Sequence, residues 1–176
     1  MKLNRKTLRK LILKEIFEKG AAAYKFVHAV DGRQRGRPEA HEYTFKTDHD
    51  LTYLVFIYAK KQNTGDEWTG SWDVSFSTID LQDPLDVNMD LTGKHDIKVL
   101  NTVIQVVKDF VSNVRPTLPD PLYTFTHFKC EAQQERGIPG GDTRRGRIYQ
   151  YMLKKQGISS ELSLDEYGSI IIEFVI

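Results

Sequence analysis

Leu51-Thr52-Tyr53-Leu54-Val55-Phe56-Ile57-Tyr58-Ala59-Lys60 decides the fold class. Successive side chains of a strand point to opposite faces. Leu51, Tyr53, Val55 and Ile57 fall on one face, and Leu54, Phe56 and Tyr58 on the other. A strand apolar on both faces is expected inside a sheet, covered on both sides by helices.

Working outward, Tyr43 to Lys46 and the turn Thr47-Asp48-His49-Asp50 make the preceding arm of a hairpin. On the other side, after Asn63-Thr64-Gly65-Asp66, Trp72, Val74 and Phe76 alternate with Asp73, Ser75 and Ser77. That alternation predicts a half-exposed strand. Residues 80–96 read as an acidic loop, with five Asp against one Lys, containing Thr92-Gly93-Lys94-His95. Leu100, Val103, Ile104, Val107, Phe110 and Val111 then form a helical stripe over 97–113. Pro116, Pro119 and Pro121 forbid regular structure. A strand is predicted over Leu122 to Phe128, a helix over 143–156 stopped by Gly157, and a closing buried strand over Ile170 to Ile176. At the start, Leu8, Leu11, Ile12, Ile16 and Phe17 mark an amphipathic helix with a strongly basic face, ending at Gly20. Asp31 to Pro38 reads as a basic loop. The predicted fold is α+β: a mixed, largely antiparallel central sheet flanked by helices, in one domain over residues 1–176.

Composition narrows the function classes. The hydrophobic fraction of 40% and charged fraction of 28% are those of a globular chain, and a formal net charge of +1 offers no global field toward nucleic acid or membrane. Cys130 is the single cysteine, so no intrachain disulfide can form, which suits a reducing, cytoplasmic setting. No apolar run approaches the roughly 20 residues of a membrane span. Lys14, Glu15 and Glu18 interrupt the apolar stretch a secretory signal needs.

No metal site is expected from spacing. His28, His41, His49, His95 and His127 are scattered, and no pair has zinc-finger or HExxH spacing, so only assembly in three dimensions could gather them. His127 and Cys130, three apart on one strand, would face opposite ways and make no nucleophile dyad. Thr92-Gly93-Lys94-His95 before a helix is a candidate phosphate cradle, since free amides there attract anions. It is not a Walker A loop, because His95 stands where that motif has Ser or Thr. Arg33, Arg35, Arg37, Arg144, Arg145 and Arg147 would serve a nucleic-acid reading only if loop and helix converged, and the near-neutral charge argues against it.

The order of elements over residues 43–176 resembles the GNAT N-acetyltransferase fold. In that family a splayed strand leads into a glycine-bearing pyrophosphate loop and a long helix. A further strand, a helix and a closing hairpin follow. The resemblance implies acetyl-CoA as cofactor, held by Gly93, Lys94 and His95, and Tyr149 as the acid that protonates the departing thiolate; it names no base, and Glu42 and Asp73 are only guesses for that role. The family loop, Gln/Arg-x-x-Gly-x-Gly/Ala, becomes Asp90-x-x-Gly93-x-His95 here and keeps only the middle glycine. Met1 to Glu15 looks like the basic helical start of many tailed-phage proteins. Together these imply a non-catalytic, protein-binding accessory protein, in a host cytoplasm or a virion, that docks through its first helix. The alternatives are an acetyl-CoA-dependent N-acyltransferase acting on an amine and a nucleic-acid binder.

Overall fold

The first half of the chain forms an antiparallel meander. The structure is a computed structural model and describes residues 22–64, 67–79, 87–88, 97–132, 144–164 and 170–176. Strands β1 (Phe26–Val30), β2 (Ala40–Lys46), β3 (Thr52–Thr64) and β4 (Glu67–Ile79) pair antiparallel in sequence order. In the turn between β2 and β3, Asp50 takes a left-handed backbone with φ of 66°. Aspartate tolerates that region better than most residues, and Lys46 reaches back to Asp50 at 2.8 Å.

A dipeptide, β5 (Val87–Asn88), pairs with β4. The second half adds β6 (His127–Ala132), β7 (Ser160–Leu164) and β8 (Ile170–Val175), giving the order β1-β2-β3-β4-β6-β8-β7 with β5 off this path. The pairing of β4 with β6 is parallel and all the other pairings are antiparallel. The parallel register begins at Trp72↔Phe128 and ends at Val74↔Cys130, although β4 continues to Ile79. The two strands therefore part beyond Val74.

Helix α1 (Ile97–Asp109) crosses from β4 to β6, and a π-helical turn, Phe110–Val114, continues it. Helix α2 (Arg144–Lys155) crosses from β6 to β7. Gly157, at φ of 75°, supplies the left-handed residue that stops α2. Both helices bury their apolar stripes against the sheet face that carries Tyr43, Val55, Val74, Phe128 and Ile172.

Three sequence expectations change here. Leu54, Phe56 and Tyr58 on the other face of β3 are half-buried and lie outside the core cluster, and among the described residues no helix covers that face. The strand expected over Leu122 to Phe128 is instead a 3₁₀ turn, Leu122–Thr124, followed by a strand that starts at His127. Pro119 and Pro121 impose the turn, and Leu122 and Phe125 bury themselves from it without a ladder. The sheet also begins before residue 43, with β1 as its edge strand. The amphipathic helix read at residues 1–19 lies outside the described residues, and no described helix is long and apolar enough to cross a membrane.

Candidate functional site

Tyr149 sits half-buried on α2, with its ring 6.1 Å from that of Phe76. It lines the space where β4 and β6 part. Val74, Leu100, Cys130, Met152 and Ile172 line the same space and leave a cavity of about 40 Å³. The lining is apolar, and the volume is far below the roughly 150 Å³ at which an engineered apolar cavity admits benzene. Gly93, Lys94 and His95 lie outside the described residues.

The two candidate bases do not reach Tyr149. Glu42 and Asp73 alternate with the core residues His41, Tyr43, Trp72 and Val74, so they project from the opposite sheet face. There the Tyr58 hydroxyl donates to Asp73 Oδ2 at 3.1 Å, while the buried Asp73 Oδ1 has no hydrogen-bond partner among the described residues. Burial and the neighbouring Asp73 both push the Tyr58 hydroxyl up from its ordinary pKa. His127 is exposed and Cys130 buried on alternate faces of β6, as their spacing requires.

The arginines do not converge either. The 3₁₀ turn Gly32–Arg35 lies beside β1 and β2 at one end of the sheet, whereas α2 packs on β7 and β8 at the other. Arg33 is already engaged by Asp31 and by Thr117 Oγ1. Arg35, Arg37 and Arg147 are exposed.

Spacing alone gave no hint of a compact polar cluster at the β1–β2 end. A register shift between His28 and Val30 sends the chain into Asp31, whose carboxylate caps the 3₁₀ turn by accepting from Arg33 N–H at 3.0 Å. The chain then returns through His41 on β2. His28 Nε2 lies 3.2 Å from His41 Nδ1, and Asp31 Oδ1 lies 3.7 Å from the same nitrogen. The ring of Tyr43 stacks on His28 at 4.3 Å, and Phe110 from the π turn closes over His41 at 5.2 Å. The Tyr43 hydroxyl donates to Asp109 Oδ2 at 3.4 Å.

Charge states follow from these surroundings. Burial lowers the pKa of both His28 and His41, which favours their neutral rings. The Arg33 guanidinium, hydrogen-bonded to Asp31, holds that carboxyl down to about 2. His41 Nε2 lies 3.1 Å from the Pro38 carbonyl oxygen, which can only accept. The proton of neutral His41 therefore rests on Nε2, and Nδ1 presents a lone pair toward His28, Asp31 and the Gly32 amide, 3.4 Å away.

Gly32 makes this closure possible. A Cβ there would stand 2.1 Å from the Arg37 carbonyl oxygen and 2.2 Å from that of Ala40, both backbone atoms that cannot swing aside. Gly32→Ala should therefore cost about 1–3 kcal/mol, as overpacking does. Urea denaturation measures it, and an unchanged midpoint would show that the turn opens freely.

The chain matches no family model, no curated protein and no solved structure.

Proposed function

We propose that this protein is a non-catalytic binding protein, an accessory factor built on an acyltransferase-like sheet. The observation that carries the reading is the small apolar space beside Tyr149, where, among the described residues, about 40 Å³ remains between α1, α2 and the sheet. A pantetheine arm needs an open groove with polar backbone to hold it, and this lining is apolar. The acyltransferase-like half of the reading rests on topology: β4 and β6 are parallel and part beyond Val74, with α1 connecting them. The placement of Glu42 and Asp73 on the face away from Tyr149 supports the non-catalytic half. In this reading the basic, amphipathic pattern of residues 1–19 supplies the docking element for a protein partner, and a phage origin fits that pattern.

Thermal melting with acetyl-CoA tests the assignment. The expected result is no shift at millimolar cofactor. A ligand present at a hundred times its Kd would add about 2.7 kcal/mol, or roughly 5–10 °C for a chain of this size. A shift of that size would move the assignment to the N-acyltransferase alternative.

A further inference from the structure

We propose that His28, Asp31 and His41 bind a divalent transition metal of the zinc class. The three ligand atoms lie within 4.8 Å of one another. A tetrahedral zinc site with bonds of about 2.0–2.2 Å separates neighbouring ligand atoms by about 3.3 Å. The 3.2 Å between the histidine nitrogens and the 3.7 Å from His41 Nδ1 to Asp31 Oδ1 bracket that edge.

The donor set is prepared on its outer side as well. Ligating histidines commonly give their second ring N–H to a carbonyl or carboxylate, which fixes the tautomer. His41 does this through Nε2 to Pro38, leaving Nδ1 aimed inward. His28 presents Nε2 toward that same nitrogen, 3.2 Å away. Nδ1 of His41 and Oδ1 of Asp31 are both acceptors, and two acceptors this close gain from a cation shared between them. Two imidazoles and one carboxylate suit zinc or another first-row divalent ion and leave a fourth position for water or a ligand. Arg33 opposes the metal, because its guanidinium already neutralises Asp31, so the ion must share that carboxylate.

Untagged full-length protein, stripped with chelator, should take up one equivalent of zinc by titration calorimetry. His28→Ala and Asp31→Asn should each weaken binding at least tenfold. His49→Ala and His127→Ala, at exposed positions, should leave it unchanged. Cobalt(II) in the wild-type chain should give the intense visible bands of a tetrahedral site, a readout that needs no variant to fold. Equal zinc affinity in wild type and His28→Ala would overturn the proposal, as would a weak octahedral cobalt spectrum. The cluster would then be only a hydrogen-bonded closure of the β1–β2 turn.

Discussion

Trp72→Ala should lower the unfolding free energy by about 3–5 kcal/mol, the usual cost of emptying a buried aromatic site. Against a total of about 5–15 kcal/mol for a domain, that brings the chain close to its unfolding threshold. Trp72 is fully buried, and its indole N–H donates to the Phe125 carbonyl at 3.2 Å. Its ring meets Phe110 edge-on at 4.7 Å and Phe125 at 6.3 Å. It stands opposite Phe128 at the start of the parallel pairing, where β4 and β6 share few ladder bonds. Urea denaturation followed by circular dichroism measures the loss. A loss below about 1 kcal/mol, within the range of surface substitutions, would show that the union of the two halves does not depend on this side chain. Trp72→Phe keeps most of the apolar area but not the donor. It should cost less, since Arg115 also donates to the Phe125 carbonyl, at 3.3 Å.

Cys130 should alkylate about a thousandfold more slowly in the folded chain than in urea at pH 8. Burial, with smaller contributions from Glu131 and Asp73, pushes its thiol up to about 12 from an ordinary value of 9.0. Only the thiolate reacts, so a rise of that size removes about three decades of reactive species at a pH below both values. Sγ sits in the apolar wall beneath α2, which adds steric protection. Iodoacetamide labelling followed by mass spectrometry reads the ratio. Labelling at the unfolded rate would show that the core face opens at this strand.

The interior of the fold was legible and its edges were not. β3 announces itself by a near-continuous apolar run, β4 by apolar alternation, α1 by a helical stripe, and the end of α2 by Gly157. β7, Ser-Glu-Leu-Ser-Leu, is an edge strand with little to bury, so it carries little signal. β1, at the other edge, is short and alternates weakly. β6 starts later than the apolar pattern predicts, because Leu122 and Phe125 are apolar for the sake of a turn packed on the core. Tyr149 falls on α2, within the helix the pattern predicts over 143–156, but its surroundings depend on side chains from β4, β6 and β8 that no local pattern brings together. The histidine cluster is legible only once β1 is known to pair with β2, His28 opposite Tyr43. The available clue was Asp31-Gly32, a turn dipeptide between two histidine-bearing extended segments.

The parallel seam between β4 and β6 also bears on how the chain reaches this state. Each neighbouring pair in the β1–β4 meander closes across a short connection, so little chain freedom is surrendered per ladder bond. At the seam, Trp72 must find partners such as Phe125, 53 positions further on, before any bond there rewards the encounter. Closure entropy grows with the length enclosed, and non-local pairing slows folding. One continuous sheet therefore demands a long-range closure at this seam, which costs more chain entropy than any hairpin of the meander.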